Sequence, residues 1–273
     1  MKAESGTLCT GFGSRLFSSC ENLVKVKISD TVTSIGHACF NNCQLLSDIN
    51  LPNSIETIGD YCFNDCHSIT EITLPNKLQS TSDHLFARCV NLRSITIPES
   101  VTSFGNESFQ GTFRLESINI SSLEQWCTKT MENGAYTNPL RYAKYLYLNG
   151  QLIENLVIPD SVTKVGYRSF EYYESLRSVI IHDNVTEISR YAFSGCPNLK
   201  YVIIGSGINA IYYDSFLDTP NLEYIIINSI VPPYKEQRIT NNQNTIFYVP
   251  DESYDLYLEW GPTLNIHKIS EKP

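Results

Sequence analysis

The sequence predicts an α/β solenoid, a fold in which coils of similar length stack on one another, and an internal repeat carries that prediction. Apolar positions return every 23 residues along most of the 273-residue chain. A fixed period between about 20 and 50 residues is typical of solenoids, whose repeats bury their apolar faces by stacking. The columns that keep this step are Phe17, Phe40, Phe63, Phe86 and Phe109; Cys20, Cys43, Cys66 and Cys89; Leu23, Leu46, Ile69, Leu92 and Leu115; and, farther along, Phe170, Phe193 and Phe216 with Leu176, Leu199 and Leu222.

One coil illustrates the elements that the repeat predicts. Residues 46–51 end in alternating apolar side chains, which suits a strand with one buried face. Pro52 closes that strand because proline has no N–H group for a sheet ladder. Residues 55–59 predict a second short extended segment, at the end of which Gly59 is able to adopt a positive φ. Residues 60–66 predict one helical turn with two inward side chains.

Composition limits the class of function. The formal charge of −9 and the pI near 5.1 argue against a nucleic-acid binder, which normally has a basic face, and against a polybasic membrane-surface module. Apolar residues make up 42% of the chain, but no apolar run approaches the roughly 20 residues of a membrane-spanning helix. We therefore expect no nucleic-acid partner and no transmembrane segment in this chain.

An insertion interrupts the repeat between Phe109 and Phe170, which lie 61 residues apart rather than a multiple of 23. Residues 121–152 predict a degenerate coil that contains a serine-capped helix and a hairpin. The Asn149-Gly150 pair supplies the two positive φ values of a type I′ hairpin turn. The predicted domains are a solenoid over 1–227, with regular coils in 9–120 and 153–227, and a C-terminal cap over 228–273.

The phrase I-P-x-S-V-T-x-I-G-x-x-x-F-x-x-C-x-x-L-x-x-I resembles the BspA-like leucine-rich repeats, also called the Treponema pallidum-type or 23-residue class. The match is best over residues 97–118, 51–72 and 158–179 and extends over most of 9–227. The resemblance implies a right-handed leucine-rich-repeat solenoid of about nine or ten β-rich coils with short helical segments and a C-terminal cap. The departures are Thr81-Ser82 in place of Ile-Gly, Thr112 and Tyr173 in place of Cys, and Ser189 and Tyr212 in place of Gly.

The resemblance also implies a function. BspA-like relatives are typically cell-surface or secreted proteins, and several are implicated in adhesion to host matrix proteins or to other cells. We therefore expect a noncatalytic surface or secreted protein that binds a protein or glycan, host extracellular matrix included. The alternative is a structural or assembly module of a larger surface protein, which self-associates through its sheet or through its open N-terminal edge. Residues 1–6 contain no apolar segment of a signal peptide, and the repeat begins without its first strand, so we expect a truncated fragment.

No motif indicates catalysis, a metal or a cofactor. Cys39, Cys43, Cys62 and Cys66 follow the phase of the repeat rather than a zinc-finger spacing, and a buried free cysteine behaves as a small apolar residue. A Cys39–Cys62 disulfide across adjacent coils is left open as an alternative, and the odd total of nine cysteines leaves at least one unpaired within the chain. The five histidines share no repeat phase, so nothing places a base beside a nucleophile. We expect no enzyme, no metal site and no cofactor.

A candidate binding surface emerges from the tyrosines, because 16 of the 17 follow residue 130. Two outward columns of the main strand are polar in the first half of the chain and turn aromatic and aliphatic over the last three coils. Such a patch is typical of an interaction surface. The competing interpretation is that residues 228–247 fold back and cover it. The predicted site residues are Tyr201, Tyr224, Ile180, Ile203 and Ile226.

Overall fold

The computed structural model describes residues 9–129, 131 and 137–273. The prediction that this chain carries no signal peptide rests on residues 1–6, which lie outside the described residues, and so do residues 130 and 132–136 of the predicted insertion. The chain is a β-solenoid of about 11 turns with few short helices. The predicted leucine-rich-repeat solenoid is therefore confirmed, with slightly more coils than expected.

The chain divides into two compact units, of which the first comprises Met1–Ser121 and Met131–Ala143. Its strands are β1 (Gly11–Phe12), β2 (Lys25–Lys27), β3 (Ser34–Ile35), β4 (Asp48–Asn50), β5 (Thr57–Ile58), β6 (Glu71–Thr73), β7 (Ser94–Ile97) and β8 (Ser117–Ile120). These strands pair in parallel as β1-β3-β5, β2-β4 and β6-β7-β8. A 3₁₀ helix at Pro139–Arg141 also belongs to this unit.

The second unit comprises Ser122–Thr130 and Lys144–Pro273. Its elements are α1 (Leu123–Thr128), β9 (Tyr145–Leu148), β10 (Gln151–Leu152), β11 (Asn155–Val157), β12 (Lys164–Val165), β13 (Ser178–Ile181), β14 (Glu187–Ile188), β15 (Tyr201–Ile204), β16 (Ala210–Ile211), β17 (Tyr224–Ile227), β18 (Tyr234–Lys235), β19 (Ile246–Val249), α2 (Tyr254–Trp260) and β20 (Asn265–Lys268), with 3₁₀ helices at Asp251–Ser253 and Ile269–Glu271. One parallel sheet has the order β11-β13-β15-β17-β19-β20, and a second has the order β12-β14-β16-β18. The β9-β10 pair is the predicted antiparallel hairpin.

The pairing register advances by one repeat from strand to strand. Ile95 lies opposite Ile118 in the first unit, and Tyr201 lies opposite Tyr224 in the second. Each of these pairs is one 23-residue period apart, so equivalent residues of successive coils line up as columns across a sheet. Parallel neighbours are about 4.8 Å apart, which brings the side chains of one column into mutual contact.

A column of stacked phenylalanine rings runs through the core of the first unit. The ring centres of Phe40 and Phe63 are 5.5 Å apart, and those of Phe63 and Phe86 are 5.6 Å apart, with nearly parallel planes in both pairs. All three side chains are fully buried. The same stacking joins Phe170, Phe193 and Phe216 in the second unit. The 23-residue period therefore produces a continuous aromatic core within each unit.

The segment expected to be helical is instead a run of turns. Residues 60–66 contain no helix, and Tyr61 and Asp65 adopt positive φ angles of 57° and 59°. The same two positions recur as left-handed residues along both units and bracket the buried phenylalanine of each coil. In this conformation an L-residue other than glycine is strained by roughly 1 kcal/mol, which the stacking of neighbouring coils offsets. The residues concerned are Arg15, Ala38, Tyr61, His84, Glu107, Arg168, Tyr191 and Asp214 in one column, and Ser19, Asn42, Asp65, Arg88, Gly111, Tyr172, Gly195 and Asp218 in the other.

The repeat glycine serves a purpose other than the predicted one. Gly59 does not have a positive φ, and a methyl group added to it would lie 2.4 Å from the backbone nitrogen of His37 in the preceding coil. Gly36 and Gly105 make equally close approaches to the coil before them. This column favours glycine because successive backbones approach closely there. The prediction that Gly59 supplies a positive φ was wrong.

The insertion has the predicted local structure where it is described. The Ser122 hydroxyl caps helix α1 by accepting a hydrogen bond from the backbone N–H of Gln125, and Asn149 and Gly150 have φ angles of 48° and 82°. Tyr173, which replaces the repeat cysteine, donates its hydroxyl hydrogen to the Ile153 carbonyl oxygen. The larger side chain thus ties its coil to the segment that follows the hairpin.

The segment predicted as a cap continues both sheets of the second unit. Strand β18 pairs with β16, and β19 pairs with β17. Strand β20 then pairs with β19, and helix α2 connects the two. The Tyr257 hydroxyl of α2 donates a hydrogen bond to the Ser229 carbonyl oxygen and fixes the helix to the last coil. The strands of this segment therefore lie beside β16 and β17 and extend the two sheets, rather than lying over the outer face of β17.

Candidate functional site

The five predicted site residues lie on one face of the six-stranded sheet. Parallel pairing puts Tyr201 opposite Tyr224, and it aligns Ile180, Ile203 and Ile226 in the neighbouring column. All five point away from the core, because the residues between them along the strands, such as Val202 and Ile225, are fully buried. The structure thus brings together every residue of the predicted patch.

The register extends both columns beyond the predicted residues. We call the whole surface the strand-face patch, and its members are Val157, Ile180, Ile203, Ile226, Tyr248 and His267 in one column and Tyr201, Tyr224 and Ile246 in the other. Sequence periodicity could have identified Val157, which has the phase of Ile180. It could not have identified Ile246 or Tyr248, because the last coil departs from the 23-residue step.

Exposure varies along the strand-face patch. The side chain of Val157 is 57% exposed and that of Ile180 is 38% exposed. Ile203, Ile226, Tyr201 and Tyr224 are half-buried, and Tyr248 is buried at 6% exposure. Aliphatic side chains at this exposure gain free energy when a partner covers them, at about 25 cal/mol per Å² of apolar surface removed from water. The patch is therefore an energetically suitable contact surface.

Tyr224 presents its ring edge rather than its faces. The rings of Tyr201 and Tyr224 stack at 5.4 Å with an angle of 9° between their planes. The Lys272 ammonium nitrogen lies 4.6 Å from the centre of the Tyr224 ring, and Tyr248 packs edge-on against it at 6.0 Å. Most of the Tyr224 π surface is therefore occupied within the protein. The ring edge and the hydroxyl group of Tyr224 are what a partner can reach, whereas Tyr201 uses one face on Tyr224.

The equivalent face in the first unit is polar. Lys25, Asp48, Glu71, Ser94 and Ser117 share one outward column, and Lys25 forms an exposed ion pair with Asp48. An exposed pair of this kind contributes only about 0–1 kcal/mol to stability. The change from a polar strand face in the first unit to an apolar one in the second is visible in the sequence.

A second aromatic cluster lies among the left-handed turns of the second unit and was not predicted. The Arg168 guanidinium carbon lies 5.1 Å from the ring centre of Tyr167 and 4.6 Å from that of Tyr191. Both carboxylate oxygens of the buried Glu171 accept hydrogen bonds from Arg168, at 2.8 and 2.9 Å. The charge is neutralised and the ring faces pack on the guanidinium, so this cluster joins adjacent coils. The surplus of tyrosine after residue 130 was the only sequence signal for it.

The cysteines line the core as thiols. Cys43, Cys66 and Cys89 each donate an S–H hydrogen bond to the carbonyl oxygen of the phenylalanine in the preceding coil, at 3.0–3.1 Å. Burial raises the pKa of Cys39 to about 11 and that of Cys89 to about 12. All nine cysteines are free, Cys39 and Cys62 included. Among the described residues, no group of three His, Cys, Asp or Glu side chains could hold a metal ion.

Thiol labelling should therefore distinguish two cysteines from the rest. Cys9 and Cys20 are exposed, and the other seven are buried. The thiolate is the reacting form, and a raised pKa keeps its fraction below about one in a hundred near pH 8. We expect iodoacetamide to modify only Cys9 and Cys20 at short times in the native protein, and all nine in denaturant, as counted by mass spectrometry. Rapid native modification of Cys66 or Cys89 would contradict the buried column.

Comparison with known families identifies the repeat. The family model described as the BspA type leucine rich repeat region (6 copies) matches residues 10–137 and 142–256. The resemblance inferred from the repeated phrase is therefore confirmed. No curated protein matches the chain. Among the described residues, no helix has both the length and the apolar composition needed to cross a bilayer.

Several solved structures are similar to the chain. A leucine rich cell surface protein from Faecalibacterium prausnitzii A2-165 is 21% identical, with 96% of this chain and 83% of that chain covered and a TM-score of 0.44. The pneumococcal vaccine antigen PcpA is 18% identical, with 95% and 75% covered and a TM-score of 0.43. The T. pallidum leucine rich repeat protein is 22% identical, with 70% and 71% covered and a TM-score of 0.42. No role is transferred from them.

Proposed function

Because the chain belongs to the BspA-type leucine-rich repeat family, we propose that it is a noncatalytic protein of the cell surface or extracellular space that binds a protein partner through the strand-face patch. The observation that carries the proposal is the alignment of Val157, Ile180, Ile203 and Ile226 in one exposed or half-exposed aliphatic column beside two tyrosines. A contiguous apolar patch with tyrosine hydroxyls at its edge is typical of recognition surfaces.

The geometry of the tyrosines favours a protein over a glycan. The negative face of an aromatic ring is the part that attracts C–H groups and cations, so a sugar stacks on an open ring face. Tyr201 and Tyr224 use those faces on each other, and Lys272 covers the far side of Tyr224. The aliphatic column beside them suits apolar side chains of a protein. Adhesion to host matrix proteins is one role that such binding would serve.

Two features support the noncatalytic part of the proposal. The buried thiols have raised pKa values and act as hydrogen-bond donors within the core, so they are poor nucleophiles. Histidine–carboxylate pairs on the turns, such as His67 with Asp65 at 3.4 Å and His84 with Glu107 at 3.6 Å, have no nucleophilic side chain completing a triad in the described residues.

The proposal is tested by a binding panel of immobilised matrix proteins and glycans. The variant carries Tyr201→Ser and Tyr224→Ser, and the matched control carries Ser94→Ala and Ser117→Ala in the same column of the first unit. Truncating a central aromatic contact typically costs more than about 1 kcal/mol, so the double variant should weaken binding to a protein by about 30-fold or more. The control should bind as the wild type does.

Thermal unfolding of all three proteins must first show equal stability. Unchanged affinity in the tyrosine variant would overturn the placement of the site. Binding to glycans alone would overturn the choice of partner.

A second candidate function is assembly with further copies, and apolar exposure at the first described coil favours it. Leu16 is 54% exposed and Val24 is 50% exposed. Among the described residues, β1 and β2 pair on one side only. Unpaired strand edges and exposed apolar side chains together favour stacking on another chain. This function would follow if the molecular mass in solution rises with concentration and a Leu16→Glu/Val24→Glu variant stays monomeric. A constant monomeric mass in the wild type would exclude it.

A further inference from the structure

Both sheets of the first unit are interrupted at the same junction. Strand β4 pairs with β2 but not with β6, although β6 pairs normally with β7. Strand β5 likewise pairs only with β3, and the next coil is represented by an isolated bridge between Ser80 and Ser103. Within residues 9–129, all of which are described, this is the one junction between coils at which neither layer of strands is paired. We call it the seam.

The coils on either side of the seam remain joined along the turns. Three backbone N–H groups of one coil donate hydrogen bonds of 2.9–3.0 Å to carbonyl oxygens of the next coil. The donors are Tyr61, Phe63 and Asp65, and the acceptors are Asp83, Leu85 and Ala87. The strand side lacks the backbone bonds that adjoining junctions have, such as Asp48 N–H to the Val24 oxygen and Arg93 N–H to the Thr70 oxygen. On the strand side the described bonds between the two coils involve side chains: the Asn76 N–H donates to the Asn53 Oδ1 atom at 3.0 Å, and Lys77 forms an exposed ion pair with Glu56 at 3.1 Å. The backbone-to-backbone bonds between the two coils therefore lie along the turns, which is the arrangement of a hinge.

The departure Thr81-Ser82 explains why the seam lies here. Thr81 is buried, and its hydroxyl oxygen accepts a hydrogen bond from the backbone N–H of Gly105 at 3.0 Å and contacts the Ser108 hydroxyl at 3.0 Å. These hydrogen bonds join the coil that contains Thr81 to the coil after it, on the side away from the seam. Ser82 stands in the column where coils approach through glycine, and its buried hydroxyl has no hydrogen-bond partner in the described residues.

Serine in the glycine column does not by itself open a seam. Ser189 occupies the same column in the second unit, and its backbone N–H still donates to the Val165 oxygen of the preceding coil at 3.1 Å. Both sheets continue through that coil. The difference is the preceding residue, which is the apolar Ile188 there and the hydrogen-bonded Thr81 at the seam. The combination of Thr81 and Ser82 is therefore the cause.

The seam leaves a cleft on the strand side. The cleft has a volume of about 310 Å³ and is lined in part by Ile49, Leu51, Ile72 and Thr73. Ile49 is half-exposed, whereas Ile95 and Ile118, at the same position of later coils, are fully buried. A solenoid coil contacts only its neighbours, so the weakest junction determines where the stack opens.

We propose that residues 9–66 open as one unit at the seam, pivoting on the turn-side hydrogen bonds and exposing the free edges of β4 and β6. Local opening of this kind is measured by the exchange of backbone amide hydrogens with deuterium. In the wild type, the Asn76 amide, whose hydrogen bond to the Asn53 Oδ1 atom crosses the seam, should exchange at least about tenfold faster than the Leu74 amide, whose bond to the Thr96 oxygen crosses the next junction. The rate of amide exchange should change abruptly between the coils on the two sides of the seam, rather than gradually along the unit.

The Thr81→Ile/Ser82→Gly variant restores the repeat consensus and should close the seam. We expect it to slow exchange in β4 at least about tenfold, while Ser189→Gly, the matched control, leaves exchange in β4 unchanged. If the protection of the wild-type amides against exchange falls gradually from coil to coil, the proposal is overturned, whatever the variants show. Unchanged exchange of β4 in a folded double variant would overturn the assignment of Thr81 and Ser82 as its cause.

Discussion

Replacing Phe63 with alanine is expected to lower the free energy of unfolding by about 3–5 kcal/mol, because it removes a fully buried ring from the middle of a stack. Phe40 and Phe86 contact both faces of this ring at centre distances of 5.5 and 5.6 Å. The cavity would lie between two coils that are already weakly joined at the seam. Urea denaturation followed by circular dichroism measures the effect.

The exposed ring of Phe113 supplies the matched control for that substitution. Its side chain is 79% exposed and contacts the Tyr142 ring edge-on at 6.2 Å. Phe113→Ala should change the free energy of unfolding by less than about 0.5 kcal/mol, as surface substitutions usually do. Equal losses in the two variants would show that the phenylalanine column does not form the core.

Replacing Gly59 with alanine should destabilise the first unit by about 1–3 kcal/mol, the usual cost of forcing an extra methyl group into a packed site. The new carbon would lie 2.4 Å from the His37 backbone nitrogen and 2.7 Å from the Gly36 carbonyl carbon. Neither backbone atom can move without shifting a whole coil. Ser189 and Tyr212 show that a coil adapts to a side chain in this column, since their backbone N–H groups keep bonds of 3.1 and 2.9 Å to the coil before. We therefore expect destabilisation rather than loss of the fold.

Gly13 is the matched control, because it occupies the same column in the first described coil. An added methyl group there meets no atom within 4 Å, and its φ is not positive. Gly13→Ala should therefore leave the thermal unfolding temperature unchanged or raise it slightly, since alanine loses less backbone entropy than glycine. A matching loss of stability in Gly13→Ala and Gly59→Ala would mean that close approach between coils is not the reason for the glycine.

The sequence by itself determined the class of fold and the identity of the core. In a solenoid the period, counted in residues, fixes which side chains stack on which, so the phenylalanine, cysteine and leucine columns could be assigned before any coordinates. The same arithmetic placed Tyr201 beside Tyr224 and Ile180 beside Ile203. The hairpin turn at Asn149-Gly150 followed from local backbone preference alone.

Only the tertiary structure decided the features that depend on distance between coils. The role of Gly59 depends on how near the His37 backbone lies, and nothing in the sequence of one coil records that distance. The left-handed turn at Tyr61 is adopted by a residue that does not favour this conformation, because stacking of the neighbouring coils outweighs the local preference. The exposure of the strand-face patch was decided by whether another segment covers the outer face of the sheet. The opening at Thr81-Ser82 was decided by whether the chain beside a strand completes the hydrogen bonds of that strand.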